Sequence, residues 1–499
     1  MLNFLLALAS APLLALIFPR FNLAWLAPVA LTPLLIAVAR EPRAWRRFAI
    51  GWSAGVVYWF MVCYWIQFVL ADYAGVGNAG GWALFLLFCF AKAVHMGVFA
   101  LLAGMLMRRW WAIPAVAALW SAIEATHGFF GFAWLALGNA AIDMNLPLRL
   151  APYTGVWGIS FLFAMMSAAL ALAILRRPRI ELAWLVLIPF LIFLPPLPAA
   201  RRGDQTALLA QPNVSEAADW TAETLDRSEQ EQLSLTLRGA MMQTAHPPSI
   251  IVWPEVPEPF YYFDDPHFRT YVDQLARTTR AHLLLGIVAH TPEGRPLNSA
   301  VLIAPEGVAV SRYDKVNLVP FGEFVPWPFR SVVAKVSTEA GDFAPGRRVV
   351  VSPVNGHKIG AFICYESVFP NFVRQFAAAG AEVLFNISND GWFGKSAARY
   401  QHLLIVRMRA AENRRWILRS TNDGITATID SAGRLRGQLP LFVQATSYTG
   451  FRYESAKTFY TQHGDWFAWL CGAMAAACLA AELLRFRAEP APGPAESKA

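Results

Sequence analysis

The hydrophobic pattern divides the chain in two. Seven apolar blocks fill the first 200 residues, at Leu2–Phe18, Leu23–Ala39, Phe48–Leu70, Gly81–Leu106, Trp110–Ala125, Gly155–Leu175 and Leu182–Leu194. An eighth, Trp466–Leu484, stands alone near the C-terminus. Each approaches the ~20 residues an α-helix needs to cross the hydrocarbon core, although the first, fifth and seventh are short. From about Arg201 the period changes. Strand-like runs at Thr206–Ala210, Ser249–Trp253, Leu283–Val288, Ser299–Ala304, Lys358–Cys364, Val383–Ile387, Trp416–Ser420 and Thr426–Asp430 alternate with helical patterns. The helical stretches are Ser228–Gln243, Asp265–Thr279, Phe369–Ala379 and Ala397–Asn413. Such alternation predicts a layered α/β domain with its chemistry at strand ends. The expected organisation is a seven-helix transmembrane domain over 1–200, an independently folding α/β domain over 201–460, and an eighth transmembrane helix with a tail over 461–499.

Composition supports the split. Hydrophobic residues make up 56% of the chain and charged ones only 15%, with 19 Trp and 35 Phe, which is too apolar for a soluble protein. A net charge of +8 would suit a nucleic-acid partner, but the arginines cluster in short loops between apolar blocks. Arg40, Arg43, Arg46 and Arg47 follow the second block, Arg108 and Arg109 the fourth, Arg176, Arg177 and Arg179 the sixth, and Arg485 and Arg487 the eighth. Alternate loops carry only Arg20, then Asp72, then Asp143 with Arg149. The positive-inside rule therefore puts both termini in the cytoplasm and residues 201–460 outside, on the periplasmic face of a bacterial inner membrane. No zinc-ligand spacing, phosphate-binding glycine loop or aromatic–basic nucleic-acid surface occurs. Ala9-Ser10-Ala11 resembles a signal-cleavage site, but there is no basic n-region and more spans follow, so the first helix is expected to be retained. Lys92, His95 and Glu124 lie in or near apolar blocks, where ionisable groups are costly and often functional; the other reading is a structural pair, such as Lys92 with Glu124, or snorkelling to water.

Candidate chemistry centres on Cys364. Of five cysteines, Cys63, Cys89, Cys471 and Cys478 lie in apolar blocks, whereas Cys364 ends the strand-like run Gly360-Ala361-Phe362-Ile363 and is followed by Tyr365-Glu366-Ser367. A second run, Ile250-Ile251-Val252-Trp253-Pro254-Glu255, leads straight into a carboxylate. A third, from Tyr313 to Glu323, sets Lys315 and Glu323 eight apart in a largely apolar setting. A thiol is only a few per cent thiolate at neutral pH and needs a base or a cation beside it. A glutamate in an apolar pocket is raised toward the range useful for proton transfer, and a fixed ammonium stabilises a developing oxyanion where water is excluded.

Glu, Lys and Cys in that order resemble the triad of the nitrilase (carbon–nitrogen hydrolase) superfamily. With eight apolar blocks around it, the whole chain resembles the bacterial apolipoprotein N-acyltransferase family. The matching stretches are WPE at 253–255, YDKVNLVPFGEFVP at 313–326, CYES at 364–367, NDGWFG at 389–394 and GDW at 464–466. The resemblance implies an α-β-β-α sandwich with Cys364 as nucleophile, Glu255 as general base and Lys315 as oxyanion stabiliser. Glu323 and Glu366 would orient the lysine and tune the pocket. The Tyr365 N–H would join the oxyanion site, and Trp220 would lie near it. It further implies a ping-pong transfer from a phospholipid, phosphatidylethanolamine being the expected donor, to the N-terminal amine of a diacylglyceryl apolipoprotein, with no metal or organic cofactor. The aromatic–proline loops Pro257–Phe263 and Val325–Phe329 suggest an exposed, membrane-facing mouth. A membrane-anchored amidohydrolase acting on a small amide is the alternative.

Overall fold

The structure, a computed structural model, describes residues 1–72, 76–130, 132–177, 179–215, 220–243, 245–256, 259–325 and 342–488. All eight apolar blocks are helical. The N-terminal half comprises α1 (Leu2–Leu16), α2 (Thr32–Arg40), α3 (Ala44–Cys63), α4 (Trp65–Asp72), α5 (Gly77–Leu106), α6 (Ala112–Ala125) and α7 (Val156–Ile174). Gly77–Leu106, Val156–Ile174 and Trp466–Arg485 are long and apolar enough to cross a membrane, and α3 with α4, bent by 65°, makes a possible fourth span. Small residues let α3 and α5 approach closely: a Cβ on Gly51 would stand 2.2 Å from the Ala100 Cβ.

Besides the bent third block, the second and seventh depart from α-helix, each with a proline inside it. The second opens as a 3-10 turn, Ala24–Val29, that contains Pro28. The seventh is two 3-10 segments, Arg179–Leu187 and Pro189–Phe193, because Pro189 has no N–H to continue a ladder. At a rise of about 2.0 Å per residue, 3-10 geometry carries these few residues further than α-helix would.

The C-terminal half is a four-layer α-β-β-α sandwich. Its strands are β1 (Gln205–Gln211), β2 (Ile250–Val252), β3 (His282–His290), β4 (Pro296–Ala304), β5 (Val308–Asp314), β6 (Val351–Val354), β7 (His357–Ile363), β8 (Val383–Ser388), β9 (Ile417–Thr421), β10 (Ala427–Ile429), β11 (Leu435–Gln438) and β12 (Ala445–Phe451). They form two six-stranded sheets, ordered β12-β1-β2-β3-β4-β5 and β11-β10-β9-β8-β7-β6. Helices α8 (Ala222–Met241) and α9 (Pro266–Thr279) cover the first sheet; α10 (Pro370–Ala378) and α11 (Ala398–Asn413) cover the second. The final helix is α12 (Trp466–Ala488).

Strand alternation sorts the first sheet's two faces. Ala207 and Leu209 of β1 point into the core shared with the second sheet, whereas Leu208 and Ala210 pack with Phe268, Val272 and Leu275 of α9. The Ser420 hydroxyl donates to the Ala210 carbonyl, 2.7 Å away, and so ties β9 to β1 across the sandwich. All eight expected strands are present. The aromatic loop after β2 departs from expectation: Phe260 stacks on Phe268 with centroids 4.6 Å apart, and the Tyr262 hydroxyl donates to Asp273. Those two rings therefore face the domain's own core; Tyr261 and Phe263 remain exposed. Pro257 and Glu258, residues 326–329 of the second loop, and the tail beyond Ala488 lie outside the described residues.

Candidate active site

Three strand ends converge. Strand β7 is a run of buried residues ending at Ile363, so its last peptide delivers Cys364 to the sheet's edge. Cys364 itself has φ of 49°, a left-handed conformation that costs a non-glycine residue about 1–3 kcal/mol and persists only where the surroundings enforce it. Here Glu366 enforces it. Its Oε2 accepts from the Ile363 N–H at 2.8 Å, closing the 3-10 turn Cys364–Val368. Its Oε1 accepts from the Tyr313 hydroxyl at 2.6 Å and from the N–H groups of Val316 and Asn317 at 2.7 and 3.1 Å. One buried carboxylate thus joins the cysteine turn to the lysine loop. Burial pushes the Glu366 carboxyl up to about 7, against the opposing pull of these donors.

Lys315 follows β5 directly, and its ammonium is 1% exposed. It lies 2.8 Å from Glu255 Oε1 and 3.0 Å from Glu323 Oε1. Burial opposes the charge, but Glu255 and Glu323 outweigh it and hold the lysine well above its usual range. Glu255 does not occupy the expected apolar pocket. Besides Lys315 it accepts from Asn298 Nδ2 at 2.8 Å and from the Asn389 N–H at 2.8 Å. Asn298 Nδ2 also donates to Glu323 Oε1 at 2.6 Å, so a single β4 side chain clamps both glutamates. The Val319 N–H holds the other oxygen of Glu323.

The Cys364 thiol is raised above its usual value by burial and by the neighbouring Glu255, with Lys315 opposing. The resting group is therefore a thiol. Beneath it lies a buried polar cluster. His402 Nε2 is 3.1 Å from the Cys364 carbonyl oxygen and 2.9 Å from Ser367 Oγ, and its Nδ1 is 3.1 Å from Asp390 Oδ1. Arg419 forks onto both oxygens of Asp390 at 2.8 and 2.7 Å. Burial disfavours the Asp390 charge, but Arg419 and His402 hold its carboxyl well below the usual carboxylate range. Asp390 also accepts from Ser388, whose hydroxyl stands beside the thiol.

Two family models divide the sequence between them: an apolipoprotein N-acyltransferase N-terminal domain matches residues 10–169, and the carbon–nitrogen hydrolase family matches residues 199–458. The apolipoprotein N-acyltransferase of Geobacter metallireducens is 33% identical, over 95% of this chain and 94% of its own. That of Azotobacter vinelandii is 35% identical, over 98% and 97%. The chain belongs to the apolipoprotein N-acyltransferase family. Among solved structures, an amidase from Nesterenkonia sp. aligns with a TM-score of 0.39 and 19% identity, over 53% of this chain and 94% of the amidase.

In this N-acyltransferase-family chain the expected residues do not all cluster. Glu255, Lys315 and Glu323 share one hydrogen-bonded network beside Cys364, and Glu366 ties the lysine loop to the cysteine turn. The Tyr365 side chain points toward the helical half, its hydroxyl 3.3 Å from the Ala133 N–H, while its backbone N–H, the group expected at the oxyanion site, lies next to Cys364 in the cysteine turn. Trp220 is half-buried just before α8 and, among the described residues, enters none of these hydrogen bonds. Asn298, Asn389, His402 and Arg419 are the supports that motif reading missed. Only NDGWFG hinted at one of them, through Asn389 and Asp390. The Lys92–Glu124 pair does not form: Lys92 Nζ donates to the Phe132 carbonyl at 2.8 Å, and Glu124 accepts from the Leu137 N–H.

Proposed function

We propose that Cys364 is acylated by a membrane phospholipid and passes the acyl chain to the N-terminal amine of an apolipoprotein, with Glu255 as general base and Lys315 as oxyanion stabiliser. Family membership carries the reaction class. The observation that carries the residue assignment is the buried Glu255–Lys315–Glu323 cluster beside the lone strand-end cysteine.

In the first half-reaction Glu255 takes the Cys364 proton as sulfur attacks the sn-1 ester carbonyl. An ammonium has three N–H donors. Lys315 uses two on Glu255 and Glu323, which leaves the third for the oxyanion, together with the Tyr365 backbone N–H. Collapse breaks the C–O bond, and the lysophospholipid oxygen takes the proton from Glu255. In the second half-reaction the acceptor amine attacks the thioester, loses its proton to Glu255, and the departing sulfur recovers it. Glu323 fixes Lys315, and Glu366 fixes the cysteine turn. Trp220 is retained as a substrate-side residue. Phosphatidylethanolamine is the proposed donor and a diacylglyceryl apolipoprotein the proposed acceptor.

The proposed setting is the bacterial inner membrane, with helical residues 1–200 and 461–499 bounding a periplasmic catalytic domain at 201–460 and both termini cytoplasmic. Basic ends support this by gathering at one side. Arg177 donates to the Arg108 carbonyl, Arg109 pairs with Glu482 of α12, and Arg47 packs against Gly104 near the end of α5.

Intact mass spectrometry of the full chain in detergent with phosphatidylethanolamine tests the proposal. A gain of one acyl chain, labile to hydroxylamine, absent in Cys364→Ser and discharged by a diacylated lipopeptide, is expected. Folded wild-type protein that gains no acyl chain from any phospholipid would overturn it.

A further inference from the structure

The helical half contains a cavity of about 40 Å³ between α3, α5 and α6. Tyr58, Trp59, Phe99 and Trp120 wall it. Glu124, His95 and His127 bring its titratable polar groups, beside the Tyr58 hydroxyl and the Trp120 indole N–H. Glu124 is 8% exposed, and its Oε1 is used by the Leu137 N–H at 2.7 Å. Its Oε2 has no partner of good geometry; the Ser160 hydroxyl and the Trp120 indole N–H lie beside the carboxylate as donors, and both are neutral. Both ring nitrogens of His95 and the Nδ1 of His127 are likewise buried and unpartnered; the two rings stack with centroids 4.1 Å apart. Among the described residues no cation pairs with Glu124, since Lys92 is turned toward Phe132 and the Trp59 ring.

A buried carboxylate with only neutral donors beside it and two imidazoles that can each turn one ring nitrogen toward it as an acceptor, set among aromatic faces, describe a site for a small cation with several N–H groups. An ammonium offers three donors and is attracted by ring faces. A volume of about 40 Å³ exceeds the 10–15 Å³ that one water needs, so it admits an ammonium with its first methylene. A neighbouring space of about 350 Å³ shares Trp59, Glu124 and His127 and reaches Asn317 and Val368, which lie on the lysine loop and the cysteine turn.

We propose that Glu124, His95 and His127 form a binding site for a primary ammonium group, belonging either to the donor phospholipid's headgroup or to the acceptor's N-terminal amine. This rests on the acyl-transfer reading above.

The test follows thioester formation and discharge separately in the full-length protein. Donors are phosphatidylethanolamine, its N-methylated series through phosphatidylcholine, and phosphatidylglycerol. Glu124→Gln keeps an acceptor for Leu137, and His127→Asn is the second variant. If the headgroup is bound, wild-type acylation falls along the methylation series, and both variants slow the phosphatidylethanolamine reaction about tenfold or more while leaving phosphatidylglycerol unchanged. If the acceptor amine is bound, acylation is unchanged and discharge by a diacylated lipopeptide slows by that factor, through KM. Folded variants with an unaltered donor ratio and unaltered discharge would overturn the site alone. Absence of any wild-type thioester would instead remove the acyl-transfer reading on which it stands.

Discussion

Asn298 gives the most direct handle on the catalytic cluster, because one amide nitrogen serves two glutamates. Changing Asn298→Asp keeps the shape and replaces the donor by an acceptor 2.8 Å from Glu255 and 2.6 Å from Glu323. At an effective dielectric near 20, each such carboxylate contact repels by about 6 kcal/mol. Taking up one proton at pH 7 costs an ordinary carboxyl only about 4 kcal/mol, so protonation is the cheaper response. The extra proton is shared within the group that includes Glu255, which occupies the proposed base. Acyl-enzyme formation at pH 7 should fall by at least about 100-fold, and the pH–rate profile should move to higher pH as that proton is lost. Asn298→Ala, which removes the donor without adding charge, should lose about 10- to 100-fold with no displacement of the profile. Single-turnover intact mass between pH 6 and 9, beside melting curves, measures both effects. A wild-type rate and profile in Asn298→Asp would refute the clamp.

Three further outcomes follow from the same structure. Because burial and Glu255 keep Cys364 a thiol at rest, iodoacetamide should label it more slowly than free cysteine at pH 7, and its labelling should still be climbing steeply with pH where that of free cysteine levels off; peptide mapping reads this directly. Asp390→Asn leaves Arg419 buried without its counter-charge and should cost about 3–5 kcal/mol, seen as a lowered melting temperature. Since the folded pKa of Asp390 is depressed, its contribution is present above the unfolded value and is lost only as the pH falls toward the folded one, so wild type and variant should converge in strong acid. Gly51→Leu should disrupt the α3–α5 contact and lower thermal stability in detergent, whereas Gly437→Leu, on an open edge, should leave it unchanged.

The central architecture was legible because burial writes itself into consecutive residues. Strands β1–β4 and β7–β10 are runs of mostly buried side chains, and all eight appear in the periodicity. The four strands it missed, β5, β6, β11 and β12, are the four sheet edges. An edge strand has one neighbour and a wet face, so it carries little apolar signal; β11 is exposed throughout. The proposed triad was legible for a different reason: Glu255 and Cys364 follow apolar strands, and Lys315 stands in a largely apolar loop, where a reactive group has no packing role to explain it. What the sequence could not determine is who neutralises whom. Lys92 and Glu124 looked like partners on facing helices, yet backbone carbonyl and N–H groups from the Phe132–Leu137 segment claimed them. Asn298 reads as an ordinary strand polar residue, and His402, Asp390 and Arg419 are scattered over some 30 positions. Only the stacking of β4, β8, β9 and α11 brings these dipoles and charges within hydrogen-bond distance, because Coulomb and hydrogen-bond energies depend on separation in space and not along the chain.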